Sequence, residues 1–309
     1  MFVLVAPGTT SIPPKGWGAI ESILWDYYIE LLQQGQRVEI INKSNHDDII
    51  EDCNRYPNSI VHIMYDDHIC IVPKLNCKKI LYTSHLAYLT HPSFTTIAEP
   101  YYEHIFKKVL EYQDLFTFHV LSKEIEKVYQ EHGYTGKSMV VRNGARTFRT
   151  TLTPQKGHRS IYIAKIEFRK AQYKYQWIRC IDFVGNYQDS PFQSSNYLGE
   201  WDKPTLYDSL TEYGNVVLLS EAEADPLVVK EALMAGLGLV ISPCCTANLD
   251  LSKDFITVIP KEKLEDLTYI WNEIEKNRSI SLQKRPEIIE YATYFSWKTI
   301  IKEYVSLVV

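Results

Sequence analysis

Gly214–Pro243, GNVVLLSEAEADPLVVKEALMAGLGLVISP, decides how this chain is read. Asn215–Leu219 is a short run of mostly apolar and β-branched residues, long enough for a buried strand and too short for a helix. Asp225 is placed to cap a helix whose first position is Pro226. Val228, Val229, Ala232, Leu233 and Ala235 give that helix one apolar face, and Gly236 suits its C-terminal cap. Leu237–Ile241 is the next buried strand. Strand, acidic loop, helix and strand make one step of a parallel α/β sheet.

Glu223 lies in the loop and Glu231 on the helix, with seven residues between them. Helix N-termini attract phosphate, which carboxylates repel, so the pair suits the hydroxyls of a ribose or sugar beside a phosphate. From spacing alone, two solvated surface acids are an equal reading. Upstream, the same grammar recurs. Ser160–Ala164 is a strand followed by KIEFRKAQ and a helix running to about Arg179. Ile181–Val184 is a strand ending at Gly185, and Pro204–Tyr213 is a short helix. Lys165, Arg169 and Lys170 follow a strand's carboxyl end, where they could neutralise a diphosphate. Downstream come a strand at Phe255–Ile259 and helices at Lys261–Lys276 and within Arg285–Val309.

The first half is built alike. Phe2–Ala6 is a strand, PGTTSIPPKGWG a turn-rich loop, and Ala19–Gln34 a helix whose apolar stripe is Ile20, Ile23, Leu24, Tyr27, Tyr28, Leu31 and Leu32. Gly16 and Gly18 let backbone approach a ligand at that helix start, or simply make a turn. The loop is neither a dinucleotide fingerprint nor a P-loop. Ser59–Met64, Lys79–Thr83, Leu115–Leu121 and Lys137–Val141 read as further strands, with Ser122 as a helix cap. His85 directly follows a strand, where open α/β sheets bind ligands, and His91 lies in the same loop. Asp66-Asp67 reads as a turn. The polar stretch Thr150–His158 is the best boundary. The fold expected is α/β: two Rossmann-like domains with parallel sheets, residues 1–150 and 151–309.

Composition excludes several classes. A chain of 309 residues with 45% hydrophobic content can bury two cores. A net charge of −5, with no block of like charge, gives no nucleic-acid footprint. The six cysteines form no C-x-x-C pair, so a disulfide framework and a zinc site are both weak readings and a reducing compartment is expected. No apolar run reaches membrane-spanning length and no signal peptide is evident; a cytoplasmic protein is expected, with peripheral membrane contact left open. Hydrolase elbows, zincin motifs and kinase signatures are missing.

The residues resemble the family 4 retaining glycosyltransferases over most of the chain. IPPKGWGAIESILWDYYIELLQQGQRVEIIN is similar to the family's P-P-x-G-Y-G-G-x-E opening, with Trp17 as the aromatic, Ala19 for the second glycine and Gln36 for a histidine. VVRNGAR, with Asn143, resembles the segment that ends the first domain, Arg146 replacing an acid. SIYIAKIEFRKAQ resembles the G-R-x-x-x-x-K-G loop, with Ala164-Lys165 for Gly-Arg and Lys170 in register. EADPLVVKEALMAGLGLVIS resembles the E-x7-E motif, with Gly238 in place of a proline, and FSWKTIIKEYVSLV the C-terminal helix from about Trp297 that returns to the first domain.

The resemblance implies a GT-B fold, two Rossmann-like domains facing across a cleft, and metal-independent transfer with retention. It implies no cofactor. The donor is a nucleotide-diphospho-sugar, a UDP-sugar ahead of a GDP-sugar, and the acceptor is a glycan or lipid-linked hydroxyl held mainly by the first domain near residues 85–96. By that resemblance Lys165 and Lys170 stabilise the leaving diphosphate. Glu223 and His85 contact the sugar, and Glu231 the ribose. Gly16, Trp17, Gly18, Asn143, Arg169, Gly185, Asp225, Pro226 and Leu227 complete the donor site. Two other classes stand beside this one: a nucleotide-sugar-binding protein without turnover, and a dinucleotide-dependent oxidoreductase, disfavoured by the missing fingerprint.

Overall fold

The computed structural model describes residues 1–16, 18–86, 88–90, 99–147, 150–187 and 191–309, with the backbone only at residues 99 and 100. Trp17, His91 and much of the 85–96 stretch lie outside the described residues. The chain forms two compact units, Met1–Arg142 with Trp297–Val309, and Asn143–Ser296. The division falls at Arg142–Asn143 rather than at residue 150. Asn143 and Ala145 are the reason: Asn143 donates its backbone N–H to Asp225, and Ala145 bridges to Ser296.

In the first unit six parallel strands, β1 (Phe2–Ala6), β2 (Val38–Asn42), β3 (Ile60–Ile63), β4 (Lys79–Tyr82), β5 (Thr117–Val120) and β6 (Lys137–Val140), pair in the order β2-β1-β3-β4-β5-β6. β1 and β3 are buried along their whole length, as strands covered on both faces by helices must be. Helix α1 (Ala19–Gln33) buries Ile23, Leu24, Tyr27 and Leu31 against the sheet, while Leu32 stays exposed. The acids Glu21 and Asp26 are buried with the stripe instead. Beyond it are α2 (His46–Asn54), α3 (Glu99–Tyr112) and α4 (Lys123–Glu131), the last capped by Ser122 through the Ile125 N–H. Asp66-Asp67 is not a turn but the start of a 3-10 stretch, Asp66–Lys74, and Asp66 is buried under Tyr82 and Ser84.

The second unit pairs β7 (Lys156–Ile163), β8 (Ile181–Val184), β9 (Tyr213–Leu218), β10 (Gly238–Ile241) and β11 (Ile256–Val258) in parallel, in the order β11-β10-β9-β7-β8. Counted from the first strand of each unit, the first sheet runs 2-1-3-4-5-6 and the second 2-1-3-4-5. In such sheets the crevice for a ligand opens at the carboxyl ends where the order reverses. In the second unit that point lies between β7 and β9. The helix expected after KIEFRKAQ is reduced to a 3-10 turn, Phe168–Lys170, and a single turn α5 (Gln172–Tyr175). Lys165, Arg169 and Lys170 therefore stand on a loop and not on a long helix start. The remaining helices are α6 (Lys203–Ser209), α7 (Leu227–Met234), α8 (Leu267–Gln283), α9 (Arg285–Ala292) and, in the first unit, α10 (Trp297–Val308). All six cysteines are free thiols.

Candidate functional site

The loops after β7 and β9 meet at the switch point. Tyr162, inside β7, fixes both: its hydroxyl donates to the Lys170 carbonyl and accepts the Leu219 N–H at 2.9 Å. Arg169 adds a second tie, donating to the Ala222 carbonyl at 2.8 Å and accepting the Glu221 N–H on its own carbonyl. With the loops so placed, the Lys170 ammonium forms a direct ion pair with Glu223, and the Arg169 guanidinium stands 3.7 Å from the other carboxylate oxygen. Burial would push the Glu223 carboxyl up, but Lys170 and Arg169 outweigh it and hold it below the usual range. Glu223 is thus a buried, ionised acceptor, not surface decoration.

The same loop carries an acid that the sequence reading passed over. Glu167 takes Arg169 Nη2 at 2.7 Å and lies 3.9 Å from Lys165 Nζ. Arg169 is engaged in holding the loop together, while Lys165 projects beside it. Gly185 closes the other flank: a Cβ there would sit 1.8 Å from the Ala164 carbonyl oxygen, so β8 can end this close to β7 only with glycine.

The helix α7 starts one residue later than expected, and its cap differs. Pro226, not Asp225, occupies the cap position, with no side-chain cap bond. The Asp225 carboxylate is turned inward, where it pairs with Lys230 with both side chains fully buried, and accepts the Asn143 N–H at 2.7 Å. Asn143 Nδ2 donates to the Asp225 carbonyl at 2.9 Å. Burial raises the Asp225 carboxyl despite Lys230. Asp225 and Asn143 thus support the loop before α7 rather than present side chains to a ligand. The N–H groups of the first turn, from Leu227 onward, have no partner within the helix and form a positive end. Nothing local signalled the buried pair except a lysine set among the apolar residues of that helix. Glu231, one turn further on, is buried and receives Lys203 Nζ at 2.6 Å, a second partner the sequence gave no reason to choose.

In the first unit the loop after β1 carries the glycines. Gly8 is needed there: its φ is +76, and a Cβ would lie 2.1 Å from the Lys43 carbonyl carbon. Gly18 caps α1, and Glu21 inside the helix accepts from Thr10 Oγ1 at 2.9 Å. His85 follows β4 with its Nε2 buried and without a hydrogen-bond partner among the described residues. Burial and the nearby His119 push its imidazole down to about 3, so it is neutral at pH 7. Among the described residues no cluster of three or more His, Cys, Asp or Glu is placed to hold a metal ion. No described helix is long and apolar enough to cross a membrane.

Two Rossmann-like α/β units with parallel sheets of this order in one chain are the GT-B fold. Among the solved proteins that resemble this chain, three are spanned almost end to end. Sucrose-phosphate synthase from Thermosynechococcus elongatus superposes with a TM-score of 0.76 at 13% identity, covering 99% of this chain and 97% of that one. HepE of Anabaena, solved with UDP and glucose, gives 0.72 at 13% identity over 99% of each chain. AviGT4, a glycosyltransferase of avilamycin A biosynthesis, gives 0.66 at 14% identity, covering 99% and 96%. No protein-family model and no curated protein matches the sequence.

Proposed function

We propose that the protein is a retaining glycosyltransferase. It moves a sugar from a nucleotide-diphospho-sugar to a hydroxyl of a glycan or lipid-linked acceptor, without a metal ion. The observation that carries this reading is the part-buried Lys170–Glu223 ion pair at the switch point of the second sheet, with Glu223 on the loop that leads into α7. A carboxylate that accepts from sugar hydroxyls and an ammonium that neutralises a phosphate are groups that donor binding uses. A uridine nucleotide is put ahead of a guanosine one, since HepE, of the same fold, was solved with UDP and with UDP-glucose.

In this reading the second unit binds the donor and the first the acceptor. As the anomeric carbon–oxygen bond breaks, negative charge grows on the departing diphosphate. Lys170, Lys165 and the α7 N–H groups stabilise it. Glu223 fixes the sugar hydroxyls and Glu231 the ribose. The acceptor oxygen enters on the face the diphosphate leaves, so no protein nucleophile is assigned. Positioning and electrostatics supply the acceleration.

Thermal melts with UDP, GDP, ADP and NAD test the donor class, because a ligand that binds only the folded state raises the melting temperature. UDP or GDP is expected to stabilise; stabilisation by NAD alone would sink the proposal in favour of an oxidoreductase. Transfer or hydrolysis of the matching nucleotide sugar, unchanged by EDTA, then establishes turnover, and the anomeric proton coupling of the product reads retention. A binder without turnover is the second reading, favoured by Arg169 being engaged with Glu167 and by a lysine at 165 in place of a bidentate guanidinium. Stabilisation without any sugar release would select it.

A further inference from the structure

The geometry points to Lys203 as a positioning residue for ribose recognition: its ammonium fixes the Glu231 carboxylate so that one oxygen faces the nucleotide's 2′,3′-diol. This inference rests on the proposed donor site, in which Glu231 takes the ribose.

Glu231 lies on α7, one turn in from its start, with only 9% of its side chain exposed. Lys203 comes from a different element, the first residue of α6, on the connection between β8 and β9. Its Nζ is 2.6 Å from Glu231 Oε1. Its own approach is constrained from two sides. The Asp202 side chain caps α6 by accepting the Thr205 N–H at 2.9 Å, which sets where Lys203 begins, and the ammonium lies 5.8 Å from the Tyr207 ring centroid.

A surface lysine–glutamate pair is held loosely and is worth little. Here the carboxylate is buried on a helix packed into the sheet, so the lysine's hold on one oxygen sets the orientation of the carboxyl plane. A vicinal diol needs two acceptor sites at a fixed angle. A carboxylate locked through one oxygen keeps the second oxygen, and the remaining lone pair of the first, in one orientation. Without the lysine, the carboxyl plane can turn and the two acceptor directions are no longer held together. Lys203 touches neither the sugar nor the phosphates in this scheme, so its loss shows at the ribose and not at the diphosphate.

The test compares UDP, GDP and ADP with their 2′-deoxy forms by calorimetric titration, using whichever pair binds the wild type. Four proteins are needed: wild type, Glu231→Gln, Lys203→Met and Lys203→Arg. The wild type is expected to prefer the ribonucleotide by about tenfold or more, the range for a hydrogen bond to a charged group. Glu231→Gln should bring that preference to within about twofold of parity. Lys203→Met should lower it several-fold with the affinity for the deoxynucleotide nearly unchanged, and Lys203→Arg should restore most of it. Should Lys203→Met fail to fold by circular dichroism, Lys203→Gln replaces it and makes the same prediction. Full ribose discrimination in the Lys203 variant, with its loss in Glu231→Gln, overturns the inference and leaves the donor site standing. Undiminished discrimination in Glu231→Gln removes the ribose assignment itself, and this inference with it.

Discussion

Glu223 shows how one residue depends on partners remote in sequence. Read in the sequence, its neighbours are Ala222 and Ala224; in the fold they are Lys170 and Arg169, brought over by the meeting of two loops. The two side chains then have separable jobs. Lys170→Ala removes a cation from the diphosphate and strands a buried carboxylate. Donor binding measured by calorimetry is expected to weaken by about 1–3 kcal/mol, the cost of losing a charge-assisted hydrogen bond. Glu223→Gln keeps the shape but not the charge, and should lower kcat by more than it raises the dissociation constant for UDP. Equal effects of both changes on UDP binding, with no separate loss of turnover, would contradict this division.

At the scale of the element, α7 is held in place by a pair that never reaches solvent. Lys230 and Asp225 are both fully buried, and Asp225 also fastens Asn143, where the chain enters the second unit. Breaking one side of such a pair leaves an uncompensated buried charge, at a cost of about 3–5 kcal/mol. Asp225→Ala is therefore expected to destabilise the second unit by about that amount in urea unfolding. The double change Asp225→Leu, Lys230→Met should recover much of the loss, since an apolar pair of similar volume has no charge to desolvate. If the single change leaves the midpoint in place, the pair is not what holds the helix start.

Across the whole first unit, the last helix is part of the core although it is last in sequence. Trp297, Ile300, Ile301, Tyr304 and Val308 are buried. Tyr304 hydrogen-bonds His62 Nδ1 at 3.1 Å, and Thr83 links His62 to His119 at 2.7 Å on each side. Burying side chains of this size contributes about 1.5–3 kcal/mol each, which in sum is comparable to the whole stability of a domain, about 5–15 kcal/mol. Removal of residues 297–309 should abolish the cooperative unfolding of the first unit, followed by calorimetry. The histidines make the unit acid-sensitive. Burial pushes His62 well below its ordinary value, His119 to about 4 and His85 to about 3, so the folded state keeps them neutral. The unfolded chain takes up their protons near pH 6.5, so stability is full above that pH. It falls as the pH drops toward 4, by about 3 kcal/mol for His119 alone. Asp66, raised by burial to about 6, works the other way between pH 6 and 4, one carboxyl against three imidazoles. A urea midpoint that does not fall between pH 7 and 5 would contradict this account.

What the sequence determined by itself was local. Apolar runs of strand length, helix stripes and turn residues follow from backbone periodicity and are written in neighbouring residues. Hence the α/β grammar, most element positions and the placing of Lys170 and Glu223 on loops and Glu231 on a helix were legible. Asp225 as a cap and Asp66 as a turn residue were local readings too, and both failed because burial, not neighbouring sequence, fixed where those carboxylates point. Strand order is a matter of pairing between segments dozens of residues apart. Only the tertiary structure decided that β7 lies beside β9, and with it that Lys170 meets Glu223, that Lys203 meets Glu231, and that an acid and a lysine five residues apart neutralise each other in the core. Ion pairs and hydrogen bonds form only between groups a few ångströms apart, so which charges find each other is set by the sheet that carries them.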